Sequence, residues 1–108
     1  MVIAVDFDGI LCEVAYPEIG TPIILNINLI KDARLSGHKI ILWTCRSGKK
    51  LQEALIWCRH HNLIFDAVNK NLPERIKEFK GDTRKISADI YLDDKNCSIK
   101  ELWENIYG

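Results

Sequence analysis

The sequence predicts a three-layer α/β domain with a mostly parallel sheet and helices on both faces. Short apolar runs rich in β-branched residues alternate with longer segments in which apolar residues recur at helical spacing. Three of the apolar runs end abruptly in polar residues, as parallel strands buried on both faces do at their carboxyl ends. Such alternation implies right-handed crossovers between parallel strands. The expected fold is therefore Rossmann-like.

Four segments have the composition of buried strands, namely residues 2–5, 39–44, 64–68 and 88–92. The first stops at Asp-Phe-Asp-Gly, the second ends in Thr44 followed by Cys-Arg-Ser-Gly, and the fourth stops at Asp-Asp. Apolar and β-branched residues bounded by turn-forming residues are typical of strands. The polar groups therefore mark the carboxyl ends of three strands.

Three segments predict helices. In the first, Pro22 suits a first turn and Gly37 ends a face that carries Ile23, Ile27, Ile30 and Leu35. The second begins at Ser47 as N-cap and carries Leu51, Leu55, Trp57 and Cys58. The third follows Ser98 and carries Ile99, Leu102, Trp103 and Ile106. We also expect all three tryptophans, Trp43 included, to lie in the core.

Length and composition limit the classes of protein to which the chain can belong. The 108 residues are enough for one domain, so residues 1–108 are expected to form a single unit. Fifteen basic and fifteen acidic side chains cancel, which predicts no general attraction to nucleic acid or membrane. The four scattered cysteines fit reduced thiols, and no apolar run approaches the ~20 residues of a membrane span. We therefore expect a cytoplasmic protein.

Candidate functional residues follow three of the predicted strands. Because ligands bind beyond the carboxyl ends of parallel strands, we expect these residues to meet at one edge of the sheet. They are Asp6 and Asp8, Thr44 and Arg46, and Asp93 and Asp94. The sequence thus predicts four carboxylates and a hydroxyl at one rim.

Such a cluster predicts a metal ion and phosphoryl chemistry. Crowded carboxylates repel one another unless a divalent cation neutralises them, and hard oxygen ligands favour Mg²⁺. We expect Asp6, Asp8, Asp93 and Asp94 to bind it. A phosphate could then approach Asp6, whose in-line attack would give an aspartyl-phosphate that water hydrolyses. Asp8 is placed to protonate the leaving oxygen and later to take a proton from that water.

These residues resemble the motifs of the haloacid dehalogenase-like phosphatases along nearly the whole chain. The first motif of that superfamily, an apolar strand followed by D-x-D-G, is similar to residues 6–9. Its second motif, a Thr or Ser ending an apolar strand, is similar to Thr44, and its fourth, paired acids after another strand, to Asp93 and Asp94. The resemblance implies a Mg²⁺-dependent phosphohydrolase acting on a phosphomonoester.

The third motif of the superfamily is a lysine that balances the phosphoryl charge. Lys70 and Lys85 compete for this role, and we favour Lys85 because residues 81–85 resemble the lysine-bearing segment of the phosphatase domain in bacteriophage-type polynucleotide kinases. A solvated loop charge is the alternative for either lysine. The chain departs from the superfamily at Ile10, where Thr is usual, and we expect altered loop packing with activity retained.

Five residues are expected to contact substrate phosphate, namely Gly9, Thr44, Cys45, Arg46 and Lys85. Arg46 could bind phosphate through its fork of donors or lie on the surface. We expect Cys45 to be a small packing residue and not a thiol nucleophile, because no C-x5-R loop is present. Asp94 could instead cap the last helix.

The two usual sites of cap insertion in the superfamily correspond to residues 11–21 and 69–84, and neither can hold a cap domain. An open site is therefore expected. Capless members of the superfamily often act on large substrates such as nucleic-acid ends or phosphoproteins, or use a neighbouring subunit of a homo-oligomer as a lid. A small molecule such as a nucleotide or sugar phosphate also remains open as the substrate.

Two further functions remain open. One is a phosphorelay receiver-like module, for which Asp66 would be the phosphorylated residue, and the other is a non-catalytic phosphate-binding module.

Overall fold

The computed structural model of the chain describes residues 1–70, 72 and 88–93. Its elements, in chain order, are β1 (Val2–Val5), α1 (Ile24–Leu35), β2 (Lys39–Leu42), α2 (Gly48–His60), β3 (Ala67–Val68) and β4 (Ile90–Leu92). The four strands form a parallel sheet in the order β3-β2-β1-β4. The structure confirms the Rossmann-like α/β fold class.

The strand order places a topological switch at β1. The chain adds β2 and then β3 on one side of β1, and β4 pairs with its other side. In open parallel sheets, ligands bind in the crevice outside the carboxyl ends of the strands where the order reverses. A ligand site is therefore expected beyond the carboxyl ends of β1 and β4.

Both faces of the sheet are buried. Ile3, Val5 and Leu42 point to one face and share a core with apolar residues of α1 and α2. The alternate residues, such as Ala4 and Ile41, are buried on the opposite face. Burial of each large aliphatic side chain stabilises the fold by roughly 1.5–3 kcal/mol. The near-continuous apolar sequence of β1 and β2 is explained by this two-sided burial.

Helix α1 buries two of the predicted residues, Ile27 and Ile30, but not Leu35. Ile27, Ile30 and Ala33 are buried, whereas Leu35 is 84% exposed, so the prediction for Leu35 is wrong. Five residues after Ile30, Leu35 lies about 140° around the helix from it, at 100° per residue. Gly37 ends the segment in the left-handed conformation (φ +99°), where its N–H donates to the carbonyl of Arg34.

Helix α2 begins after Ser47, as predicted, although the Ser47 side chain makes no capping hydrogen bond. Trp57 is half-buried and meets the ring of Phe7 edge-on, with the centroids 5.3 Å apart. Trp43 is 40% exposed, so its assignment to the core is wrong, because it follows β2 near the open edge of the sheet. Trp103 and the predicted third helix lie outside the described residues.

β3 and β4 begin later than predicted, and just before each of them an aspartate side chain accepts a backbone N–H of the neighbouring strand. Asp66 Oδ2 accepts a hydrogen bond from the N–H of Ile40 at 2.8 Å, and Asp89 Oδ2 accepts one from the N–H of Val2 at 2.7 Å. β3 and β4 start only after these aspartates, at Ala67 and Ile90 respectively. Neither α1 nor α2, the helices of the described part, has the length and apolar run required to cross a membrane.

Candidate functional site

The carboxyl ends of three strands border one open cavity of about 440 Å³. Asp6 follows β1, Thr44 follows β2 by two residues and Asp93 follows β4, and all three line this cavity. Cys45, which was also predicted to contact substrate, lines the cavity as well, so the structure brings together four of the predicted site residues. Asp94 and Lys85 lie outside the described residues.

Asp6 and Asp93 are neighbours across the switch point. Val5 pairs with Leu92, and the N–H of Asp6 donates to the carbonyl of Leu92 at 3.0 Å. The next pair in this register is Asp6 beside Asp93, on adjacent strands whose backbones are about 4.8 Å apart. Because both side chains line the same cavity, two carboxylates face a common space. One Asp6 oxygen, Oδ1, also accepts the N–H of Phe7 at 2.7 Å.

The Asp6 and Asp93 pair fits a magnesium ion. Within the described residues, no group of three or more His, Cys, Asp or Glu side chains is arranged to hold a metal. Mg²⁺, however, keeps several of its waters and commonly uses only one or two protein carboxylates. Two adjacent carboxylates also repel each other, and a cation between them removes that repulsion.

Asp8 points to Arg46 and does not share this space. Asp8 Oδ2 accepts the Arg46 Nε–H at 2.9 Å, and Asp8 Oδ1 accepts an Nη2–H at 2.8 Å. Both Asp8 oxygens are thus engaged by one guanidinium in this structure, and the role of Asp8 as a metal ligand stays a prediction. Such a bidentate pair is among the stronger charge-assisted interactions in proteins.

Arg46 is buried, with only 3% of its surface exposed, so the alternative of a surface role is wrong. Its Nη2 also donates to the carbonyl of Glu18 at 2.8 Å, and Nη1 donates to that of Pro17 at 3.3 Å. The guanidinium carbon lies 5.1 Å from the ring centre of Phe7 and 5.0 Å from that of Tyr16. The hydrogen bond to Asp8 raises the pKa of Arg46. In this structure its donors bind protein groups, not an open phosphate site.

Residues 13–21 form a loop that we term the flap. Its ends are joined because the N–H of Glu13 donates to the carbonyl of Thr21 at 2.9 Å. A Cβ on Gly20 would lie 2.0 Å from the carbonyl oxygen of Glu13, so only glycine fits at this close approach. Val14 and Tyr16 are 70% and 60% exposed. The flap is thus a small closed loop of the Ω type, held from inside by Arg46.

Thr44 is held in a defined orientation. Its N–H donates to Asn69 Oδ1 at 2.8 Å, and its Oγ1 accepts the N–H of Arg46 at 3.1 Å. A hydroxyl that accepts one hydrogen bond retains its own hydrogen to donate, for instance to a phosphate oxygen. The backbone N–H of Arg46 is therefore already used by Thr44.

The backbone amide of Gly9 is used in a local turn, whereas Cys45 lies on the cavity wall. Gly9 adopts φ +91°, which permits the turn after Asp8, and its N–H donates to the carbonyl of Cys12 at 2.8 Å. This amide therefore serves the turn. Cys45 is exposed and lines the cavity, so its assignment as a packing residue is wrong. Ile10 is 5% exposed and packs in the core.

The buried thiols are not suited to nucleophilic chemistry. Burial raises the pKa of Cys12, and it raises that of Cys58 to about 12. A thiol must lose its proton to act as a nucleophile. These two cysteines are therefore structural residues.

The charge-balancing lysine is not identified among the described residues. Lys70 is exposed and follows β3, which is separated from β1 by β2. Lys85, the candidate we favour, lies outside the described part of the chain.

Asp66, the phosphorylated residue required by a receiver-like module, precedes β3 and lies at the amino edge of the sheet, opposite Asp6. Its carboxylate binds the Ile40 amide and lies 3.6 Å from Arg34. Geometry therefore gives a receiver-like function no support.

Sequence reasoning missed two features of the site. Asn69, which orients Thr44, gives only a weak signal, that of a polar residue directly after an apolar run. It adopts φ +53°, a conformation that asparagine tolerates. The contact of Arg46 with Asp8 joins residues that are 38 positions apart, and no local sequence pattern predicts it.

A solved structure of a conserved protein from Bacteroides thetaiotaomicron is similar to this chain. The sequences are 41% identical, the match covers 98% of this chain and 88% of the other, and the TM-score is 0.84. No protein-family model matches the sequence, and no curated protein matches it. The similarity to the Bacteroides protein spans every element that supports the candidate site.

Proposed function

The chain belongs to the same protein family as the conserved Bacteroides thetaiotaomicron protein, and we propose that it is a Mg²⁺-dependent phosphohydrolase of the haloacid dehalogenase type. The observation that carries the proposal is the pairing of Asp6 with Asp93 at the switch point, with Thr44 on the same cavity. A cluster of this kind can hold a metal and still present a nucleophilic carboxylate to a phosphate.

In the proposed reaction, a carboxylate oxygen of Asp6 attacks phosphorus, and the bond from phosphorus to the leaving oxygen breaks. The electron pair departs with that oxygen, which takes a proton from Asp8. Water then attacks the phosphorus of the aspartyl-phosphate, gives its proton to Asp8 and releases inorganic phosphate and the Asp6 carboxylate. The Thr44 hydroxyl donates to a phosphoryl oxygen, with its own oxygen held by the Arg46 amide and the Thr44 backbone N–H held by Asn69. Lys85 is the proposed charge-balancing residue.

Asp6 and Asp93 would hold Mg²⁺, and Asp94 remains a proposed ligand from the sequence. When bound, the ion offsets the carboxylate charge and the charge of the phosphoryl group, which would otherwise repel each other. The pairing of these two carboxylates supports this assignment without a third ligand from Asp8.

The substrate is proposed to be a phosphomonoester, with nucleotides, nucleic-acid ends and sugar phosphates as the classes to test. A volume of about 440 Å³ lies within the roughly 300–1,000 Å³ typical of small-molecule sites. The flap is too short to enclose a substrate, so coverage by a second copy of the chain is also part of the proposal. A cytoplasmic location remains an expectation.

One observation favours a second candidate, a non-catalytic phosphate-binding module. Both Asp8 oxygens are occupied by Arg46, and a carboxylate held in this way must rearrange or share its contacts to exchange a proton with substrate. Phosphate binding that requires Mg²⁺ without any turnover would favour this function.

Phosphate release from a panel of nucleotides, sugar phosphates and 3′- or 5′-phosphorylated oligonucleotides, with Mg²⁺ or EDTA, tests the proposal. The wild-type protein should release phosphate from one class of substrate, and it should do so only when Mg²⁺ is present. Asp6→Asn should be inactive yet folded. Asp66→Asn is the matched control, because it makes the same chemical change at the opposite edge of the sheet. Equal loss in both variants, or full activity in Asp6→Asn, would contradict the proposal.

A further inference from the structure

One buried guanidinium connects Asp8 with the flap. Arg46 donates two hydrogen bonds to Asp8 and one each to the carbonyls of Pro17 and Glu18. Asp8 therefore has its position fixed by the same group that holds the tip of the flap.

We propose that Arg46 is a positioning residue, acting as a latch that holds the Asp8 carboxylate and makes its position depend on the flap. The kinetic part of this inference rests on the proposed function, in which Asp8 transfers protons. The structural part, a coupling between Asp8 and the flap, does not depend on turnover.

Only arginine can make this set of contacts. A guanidinium presents five N–H donors in a rigid planar fork, and four of them are used here, two on the Asp8 carboxylate and one on each of two carbonyls. Lysine has one nitrogen on a flexible stem and cannot bind a carboxylate bidentately while reaching two carbonyls. Arg46→Lys therefore keeps the charge but not the latch.

Burial makes the contacts interdependent. Arg46 is 3% exposed and lies between the rings of Phe7 and Tyr16, so little water can replace a lost partner. A buried charge that loses one partner depends more on those that remain. Moving the flap carbonyls away should thus alter how Asp8 is held, and neutralising Asp8 should alter the flap, because coupling between two sites is reciprocal.

The consequence for catalysis is specific to the proton-transfer step. If the latch orients Asp8, its loss should lower kcat while KM and Mg²⁺ affinity change little, because the Arg46 side chain binds Asp8 and the flap and is not part of the cavity wall to which Asp6 and Asp93 belong. Loss of a residue that orients a functional group typically lowers activity by about 10- to 100-fold.

The kinetic test compares Arg46→Lys and Arg46→Met, alone and combined with Asp8→Asn. We expect either Arg46 substitution to lower kcat by about 10- to 100-fold. In the Asp8→Asn background the same substitutions should have little further effect, since residues that act through one another are not additive. Arg34→Met, which removes an arginine paired with Asp66 away from the site, is the control and should keep wild-type kcat.

Hydrogen exchange of the flap amides is the readout that needs no turnover. The N–H groups of Glu13 and Glu18, which donate to the carbonyls of Thr21 and Ala15, should exchange faster in Arg46→Lys and in Asp8→Asn than in wild type or Arg34→Met. Because Asp8→Asn and Arg46→Lys are conservative, they keep the test valid if Arg46→Met does not fold.

The outcomes separate the latch from the proposed function. Faster flap exchange with no phosphatase activity in any variant would support the latch and contradict the proposed function. Hydrogen exchange of the flap amides at the wild-type rate in Arg46→Lys and Asp8→Asn would overturn the latch. In an active enzyme, losses in kcat that multiply when the Arg46 and Asp8 substitutions are combined would overturn it as well.

Discussion

Asp6 and Asp93 stand side by side at the ends of β1 and β4, where the strand order of the sheet reverses. The two residues are 87 positions apart in the sequence, and the register between Val5 and Leu92 brings them together. Paired carboxylates at a switch point are an arrangement in which a cation and a phosphate can both be bound. This relationship is the structural basis of the proposed function.

Removing one carboxylate of the pair should weaken metal binding. We expect Asp93→Asn to lower Mg²⁺ affinity by about 10- to 100-fold, measured by titration calorimetry without substrate. Asp89→Asn is the matched control because it lies at the other end of the same strand, where Asp89 accepts the N–H of Val2. Equal Mg²⁺ affinity in wild type and Asp93→Asn would show that Asp93 is not a ligand of the metal.

The buried face of α1 can be tested by a pair of truncations. Ile30→Ala should lower the free energy of unfolding by about 2–5 kcal/mol, because it opens a cavity in the core. Leu35→Ala, on the same helix but 84% exposed, should change it by less than about 0.5 kcal/mol. Denaturant unfolding monitored by circular dichroism measures both. Similar losses in the two variants would contradict the assignment of the buried face.

The sequence was sufficient to predict the sheet and the residues directly after its strands. Asp6, Thr44 and Asp93 could be placed together because parallel strands bring their carboxyl ends to one edge. The exposure of Leu35 could also have been predicted, because at 100° per residue it lies about 140° around the helix from Ile30 and so off the buried face.

Side-chain contacts between distant segments were the least predictable feature. Arg46 could have faced phosphate or solvent, and its burial beneath the flap depends on the path of residues 13–21. Likewise, Asp66 and Asp89 accept backbone N–H groups just before β3 and β4, a role that composition does not reveal. The flap has no hydrophobic periodicity from which its structure could be predicted, because its shape comes from glycine, proline and backbone hydrogen bonds.

Cysteine labelling should report occupancy of the cavity. Cys45 is exposed on the cavity wall, so it should react with iodoacetamide, and phosphate together with Mg²⁺ should slow that reaction. Cys12 and Cys58 should stay unmodified at mildly alkaline pH, because burial raises both pKa values and keeps the thiols protonated. Peptide mass spectrometry identifies the modified residue. Equal labelling of Cys45 with and without these ligands would argue against phosphate binding there.

Asp8→Asn should slow turnover by about 10²- to 10⁴-fold, the usual contribution of general acid–base catalysis, while Mg²⁺ affinity stays close to wild type. Steady-state phosphate release and metal titration on the same protein preparation measure the two quantities. The control is Asp66→Asn, which should keep both the turnover rate and the Mg²⁺ affinity of wild type. A large loss of Mg²⁺ affinity in Asp8→Asn would place its side chain among the metal ligands, against the Arg46 contacts seen here.

The central claim is that Asp6 carries the phosphoryl group, and trapping that intermediate tests it most directly. The protein is mixed with its best substrate and Mg²⁺, quenched in acid and treated with borohydride, which reduces an aspartyl-phosphate to homoserine. Peptide mass spectrometry should then find homoserine at position 6 in wild type and nowhere in Asp6→Asn. Reduction at another aspartate, or unmodified Asp6 in an enzyme that is turning over, would contradict the claim.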